Sequence, residues 1–343
     1  MRDLLNTLYA TTPGTSLHLD GDAIRIYHSE QPGRRLLPLA RIDHIVAFGG
    51  VTITDDLMHR CARDRRSVTW LSGSGRFLAG VVGPQDGNPH LRVAQHDQYR
   101  DGARRLDLAA RFVVGKLQNT RQLLLRAARD ATGRRQGSLR EVAECTATSI
   151  IALADVPSLE VVMGIEGQAA RRYVSIWPDL LTSHARLRPP ARRVSRPPTD
   201  PLNAALSFGY GLLRVAVQGA LDQVGLDPFI GYLHGIRPGK PSLALDLMEE
   251  FRALLVDRIV FTAFNQRQLI ETDFRQMPGG AHEFTDGGRR TFLRLWSDAR
   301  ARGWQHRGLR TDVPAALLPL VQARVLARHL RGDLDGYVPW SPT

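Results

Sequence analysis

"DQYRDGARRLDLAARFVVGKLQNTRQLLLRAARDA", residues 97–131, repeats its apolar positions at helical spacing and contains no proline. It decides the fold because everything before it has a different period. From Thr15 to about Pro84 apolar and polar residues alternate. "SLHLDGDAIRIY" is an alternating hairpin around Asp20-Gly21-Asp22, and "RRLLPLA", "HIVAFGG", "VTIT", "SVTWLS" and "FLAGVV" follow as short strands. "DDLMHRCARDR" interrupts them as one helix. Beyond residue 131 the helical period returns at 138–153, 166–183, 202–224, 242–273, 288–302 and 313–331. The expected class is α+β: a small N-terminal β-rich, β-sandwich-like domain over 1–90, then a larger all-α C-terminal domain over 97–343.

A chain of 343 residues exceeds the size at which a single core stops growing, and 43% apolar residues suffice for two. The charge is one-sided: 46 Lys+Arg against 34 Asp+Glu gives +12 and a pI near 10.6. Such an excess points to a polyanion, with a merely basic surface as the competing reading. All but two of the basic residues are arginines; the lysines are Lys116 and Lys240. Two cysteines, Cys61 and Cys145, can build neither a disulfide framework nor a cysteine zinc site within one chain. The N-terminal "MRDLLNTLYATTPG" has no run suited to a signal peptide, and no stretch of uncharged apolar residues is long enough to span a bilayer. The expectation is a cytoplasmic protein without membrane association. "HARLRPPARRVSRPPTDP", 184–201, is too rich in proline and arginine for a helix; it reads as a mobile basic loop, either a plain linker or an arm that binds nucleic acid through Arg192 and Arg193. "GIRPGKPS" is not a phosphate loop, since only three residues separate its glycines and Pro241 stands where a hydroxyl is required.

"GYLHGIRPGKPSLALDLMEEF", 231–251, carries the chemistry. A helix starting near Ser242, read as its N-cap, puts Asp246, Glu249 and Glu250 within one arc while leucines, Met248 and Phe251 fill most of the rest. Carboxylates crowded in packed surroundings repel one another and resist ionisation unless a cation sits among them. Oxygen ligands with one imidazole, here His234 in the preceding turn, suit Mn²⁺ or Mg²⁺ better than zinc. Pairing of Glu249 and Glu250 with Arg252 or Arg258 on a solvated face is the other reading of the same residues. A second stretch, 161–181, sets Glu166 between two glycines at the mouth of an amphipathic helix.

Three stretches, "GIEGQAARRYV", "PPTDPLNAALSFGYGLL" and "GYLHGIRPGKPSLALDLMEEFRALLVDR", resemble the CRISPR-associated integrase of spacer acquisition, the "Cas-one" family, most closely its subtype I-C branch. The resemblance covers the whole chain and implies a metal-dependent DNA integrase and endonuclease that joins short DNA fragments to a CRISPR repeat. It implies Glu166, His234 and Glu249 as ligands of Mn²⁺ or Mg²⁺, with Asp246 as a supporting acid that assists a metal water. The family often has aspartate where this chain has Glu249. Asn203 and Tyr210 fall in the middle motif, with a structural or DNA-positioning role. Arg237 and Lys240, from charge and proximity, belong near phosphate, as do the loop arginines Arg192 and Arg193. The resemblance also implies a homodimer through the β-rich domain and assembly with the second adaptation protein, "Cas-two", and a "Cas-four" nuclease. A non-catalytic basic DNA-binding scaffold remains the alternative, and a glycosidase built on paired carboxylates accounts for neither the charge nor His234.

Overall fold

A computed structural model describes residues 7–28, 31–64, 66–73, 75–81, 83, 89–185, 187, 190 and 192–342, with 31–34 through their backbone alone. Eight strands come first among them: β1 (Thr7–Ala10), β2 (Thr15–Asp20), β3 (Ala23–His28), β4 (Gln31–Pro38), β5 (His44–Phe48), β6 (Thr52–Ile53), β7 (Ser67–Leu71) and β8 (Phe77–Val81), with helix α1 (Asp55–Arg63) before β7. They form two four-stranded sheets, ordered β1-β5-β7-β8 and β4-β3-β2-β6. Leu17 and Ile24 of one sheet, Ile45 and Val68 of the other, and Leu57 and Cys61 of α1 share one buried cluster, so the sheets pack as a sandwich. The hairpin β2–β3 turns where expected, with Gly21 at φ 58° after Asp20.

The first sheet is buried on both faces. Ile45 and Ala47 point into the sandwich core, while Val46, Phe48 and Leu71 belong to the core of the helical region. Parallel pairing of β5 with β1 and β7 explains why "HIVAF" reads as a continuous apolar run rather than a strict alternation. Strand β1 was not expected from the sequence. It pairs in parallel with β5, far along the chain, and Tyr9 on it takes a hydrogen bond from Trp296 Nε1 at 3.0 Å.

The helices are α2 (Pro89–Arg100), α3 (Gly102–Arg129), α4 (Gly133–Ala152), α5 (Leu159–Ser175), α6 (Trp177–Leu180), α7 (Pro201–Val224), α8 (Ser242–Phe251) and α9 (Arg258–Asn265). Strands β9 (Phe274–Gln276) and β10 (His282–Phe284) pair next, followed by α10 (Asp286–Ala301), the pair β11 (Gly303–His306) and β12 (Thr311–Pro314), and α11 (Leu318–Leu330). The larger region is helical as expected, with two short hairpins inserted whose three- and four-residue strands are too brief for a period to show.

Several boundaries differ from the expected ones for local reasons. The 97–131 run is two helices: Asp101 caps α3 by accepting the N–H of Arg104 at 3.0 Å. Ser158 likewise caps α5, its hydroxyl accepting from Val161 N, so that Glu166 sits in the interior of that helix and not at its mouth. Ser242 is not an N-cap either. It is the first residue of α8, after Pro241, and its hydroxyl donates to Gly235 O at 2.9 Å. The run 242–273 breaks into α8, a π-helical turn over Arg252–Asp257 and α9. One wide turn shifts the helical phase by a residue, so Asp257 lies on the face of Glu249, at roughly the place of a seventh residue on an unbroken α-helix.

α7 is the one described helix long and apolar enough to cross a membrane, and it lies packed against α8, α11 and β10. Of the basic stretch 184–201, residues 186, 188, 189 and 191 lie outside the described residues.

Candidate active site

The turn 231–235 is fixed from both sides before it presents anything. Arg105 on α3 donates to Tyr232 O at 3.1 Å, and Gln95 on α2 donates to Asp227 O at 2.9 Å while its backbone carbonyl accepts the Tyr232 hydroxyl at 3.1 Å. Gly231 has no room for a side chain: a Cβ there would lie 2.6 Å from the Ser242 backbone and 2.9 Å from Asp246 Oδ2. Asp246, fully buried on α8, gathers the turn. Its Oδ2 accepts the N–H groups of Tyr232 (2.6 Å) and Leu233 (3.0 Å), and its Oδ1 accepts the N–H of His234 (2.9 Å) and lies 2.7 Å from His234 Nδ1.

A carboxylate can only accept, so Nδ1 carries the hydrogen, and in the neutral ring Nε2 then keeps its lone pair. His234 lines a cavity of about 210 Å³ together with Glu166, Glu249, Arg237 and Lys240; Asp246 does not. Asp246, expected as a supporting acid that assists a metal water, is buried with both oxygens engaged by the turn, and one of them is placed to hold the imidazole.

Glu166 of α5 and Glu249 of α8 meet across the ammonium of Lys116, which projects from α3. Lys116 Nζ contacts Glu166 Oε1 and stands 2.8 Å from Glu249 Oε2. On the other side Arg252 stands 3.1 Å from Glu249 Oε1. Burial alone would raise the Glu249 pKa, but Arg252 and Lys116 outweigh it and hold the carboxyl down at about 2. The pairing with Arg252 weighed from the sequence is thus present, though inside the protein and not on a solvated face. Arg252 in turn stacks over Tyr210 at 4.7 Å, and Tyr210 and Tyr173 both donate to the buried carboxylate of Asp257, the latter at 2.8 Å. Tyr210 thus packs against the cation that pairs with Glu249, and it also lines the groove described below.

Glu250 has no part in this cluster, although the acidic arc on α8 was expected to converge as a whole. One helical step from Glu249 turns it about 100° away, where it accepts from the Tyr337 hydroxyl, Trp340 N (2.8 Å) and Gln322 Nε2 (3.0 Å). Burial pushes its pKa up to about 7 in spite of those donors. The segment 336–342 is tied down there, with Asn119 on α3 bonding to both Glu250 O and Trp340 O.

The basic residues divide. Arg237 and Lys240 line the small cavity and also a groove of about 1170 Å³, to which Arg76, Arg193, Arg196, Arg214 and Arg252 contribute against one carboxylate, Glu283. Arg193 reaches the groove with its guanidinium already committed to Val194 O (2.7 Å), Asn203 Oδ1 (2.9 Å) and Ser207 Oγ (2.9 Å). Arg192 is exposed, and its carbonyl accepts from Asn203 Nδ2 at 3.1 Å. Asn203 is thus a structural clamp on the turn 192–194.

The side chains present suit a hard divalent cation in kind: two carboxylates and one imidazole, with a buried oxygen, Glu249 Oε2, that lies near the Lys116 charge but outside hydrogen-bonding geometry. As they stand, no three His, Cys, Asp or Glu side chains among the described residues surround a common point closely enough to bind an ion, and the Lys116 ammonium contacts one oxygen of each glutamate. Lys116 is the residue the sequence reading missed. Its only signal is rarity in an arginine-rich chain: Lys240, the other lysine, lines the cavity, and Lys116 pairs with two glutamates that line it.

The family model described as CRISPR associated protein Cas1 matches residues 8–298. The CRISPR-associated endonuclease Cas1 1 of Moorella thermoacetica is 42% identical over 99% of both chains. A CRISPR-associated exonuclease Cas4/endonuclease Cas1 fusion from Geobacter sulfurreducens is 34% identical over 96% of this chain and 59% of its own. Among solved structures, a Cas1 protein from Thermotoga maritima has the same fold, with a TM-score of 0.80 over 98% of this chain and 100% of that one at 24% identity.

Proposed function

The chain belongs to the CRISPR-associated Cas1 family, and from that premise we propose that it is a metal-dependent DNA integrase and endonuclease of spacer acquisition. The observation that supports the reading is the meeting of Glu166, His234 and Glu249, far apart in sequence, on one small cavity that opens beside a groove lined by arginines. These three would hold Mn²⁺ or Mg²⁺, which supplies neutralisation of charge on a phosphodiester under attack. Attack by a DNA 3′-hydroxyl joins a fragment to the repeat and releases the 3′-oxygen of the cut strand; attack by water cuts DNA without joining. The protein's own work is positioning. Asp246 keeps His234 in one tautomer, Arg252 keeps Glu249 ionised, and Arg237 and Lys240 stand at the cavity mouth where a phosphate would arrive. The groove arginines hold DNA backbones without reading bases, so binding weakens as salt rises.

The same reading assigns the partners: DNA, a second copy of the chain through its strand-rich region, the adaptation protein Cas2, and a Cas4 nuclease, the last supported by the fused relative. It places the protein in the cytoplasm. The test is manganese-dependent joining and nicking of a branched DNA by the wild type and by Glu166→Ala and His234→Ala. Both variants should lose chemistry while still binding DNA; unchanged cleavage rejects the site, and DNA binding with no cleavage by the wild type leaves a basic DNA-binding scaffold.

A further inference from the structure

Glu166 and Glu249 are matched one for one by Lys116 and Arg252 without any metal. The two cations are placed differently. Arg252 approaches Glu249 from behind, packed over Tyr210, on the chain segment that follows α8. Lys116 comes from another helix and stands between the two carboxylates, one oxygen of each within ion-pair distance. A divalent ion held by Glu166 and Glu249 together would compete with this ammonium for the same carboxylate oxygens.

The choice of residue fits a position that must be vacated. This chain uses arginine for all but two of its 46 basic residues, yet has lysine here. A guanidinium grips two carboxylates through a rigid planar fork, whereas an ammonium is a single point on a flexible stem that can swing aside. Gly115, which precedes Lys116, and Asn119, one turn after it, are locked against Glu250, Pro339 and Trp340, so the backbone under the lysine is fixed and only its side chain is free to move.

We propose that Lys116 is the resident cation of the metal-free site: it holds Glu166 and Glu249 at their working separation and yields its place when a divalent ion binds. The inference rests on the assignment of those glutamates as metal ligands. It makes metal binding an exchange of one cation for another, so the affinity of the wild type is lower than its ligands alone would give.

Calorimetric titration of the whole chain with Mn²⁺ tests it through two substitutions of opposite sign. Lys116→Met keeps the length and removes the competing charge, and it should tighten Mn²⁺ binding about tenfold or more. Lys116→Arg replaces a displaceable point with a fork and should weaken binding by a similar factor. A Glu166→Gln control should abolish the signal. Equal Mn²⁺ affinity in the wild type and both lysine variants, or weaker binding by Lys116→Met, overturns the inference while leaving the metal site standing; no binding by any form, Lys116→Met included, overturns both. The wild type gives a second measurement that needs no variant to fold. Acylation by acetic anhydride, read by peptide mass with the chain's α-amino group as the internal reference, should rise several-fold at Lys116 when Mn²⁺ is added, and a ratio unchanged by Mn²⁺ overturns the exchange.

Discussion

Asp246→Asn removes one negative charge and turns one oxygen into an NH₂ group with almost no change of volume. In the native site four N–H groups converge on the carboxylate, two on each oxygen, at 2.6–3.0 Å, and the residue is fully buried. Whichever way the amide is turned, two of those donors face its NH₂. Hydrogen bonds to a charged group are worth about 1.5–3 kcal/mol each, so losing two amounts to roughly 3–6 kcal/mol. That is a large share of the 5–15 kcal/mol or so that holds a typical domain together. Part of it is relieved by letting the turn 231–235 loosen. The expected result is therefore a urea-denaturation loss of about 2–4 kcal/mol and faster hydrogen exchange at the amides of Tyr232, Leu233 and His234. Release of the imidazole lowers DNA joining about 10–100-fold, the usual cost of removing such a support. Glu249→Gln, which changes an oxygen facing the cavity, should cost more. A variant with native denaturation, native exchange at 232–234 and wild-type joining would refute the argument that Asp246 orders the turn and the ring.

Glu249→Asp keeps the ligand chemistry with a shorter reach, and partial activity with weakened Mn²⁺ binding is expected; wholly unchanged affinity and rate would put Glu249 outside the ligand set. Gly115→Ala would place a Cβ 2.6 Å from Pro339 Cβ and 2.9 Å from Glu250 Cγ. Overpacking of about 1–3 kcal/mol outweighs the gain in helix propensity, so its melting temperature should fall; an unchanged or raised value contradicts the close fit of 336–342 on α3. Burial, with Arg300 nearby, pushes His44 from its ordinary 6.5 down to about 4. Between those values the unfolded chain binds the proton that the folded protein refuses. His44 thus contributes full stability above pH 6.5, loses up to about 3 kcal/mol as pH falls toward 4, and adds no further slope below it. Denaturation midpoints of wild type and His44→Gln should converge or cross as pH falls through that window, and parallel curves contradict this.

Local signals made much of the fold legible. The Asp20-Gly21 turn between alternating strands fixed β2–β3, and loss of the period-two pattern marked where sheet gives way to helix. β1 escaped because a four-residue strand pairing in parallel with β5 owes its existence to a distant partner. Glycines 164 and 167 suggested a helix start at Glu166, yet Ser158 had already capped α5. At the site, spacing along α8 gathered Asp246, Glu249 and Glu250 on one arc, but about 100° of separation sufficed to send Glu250 to Tyr337 and Trp340. Which carboxylate meets which partner depends on tertiary packing that periodicity does not carry. The same holds for Lys116, on a helix more than a hundred residues from Glu249, and for Asp257, brought onto the Glu249 face only by a π turn.

Anomalous scattering from crystals grown with manganese measures the central claim directly. The account predicts one peak within bonding distance of Glu166, His234 Nε2 and Glu249, with the Lys116 ammonium moved out from between the glutamates. A peak bound elsewhere, or manganese absent from this cavity at saturating concentration with DNA present, would contradict it.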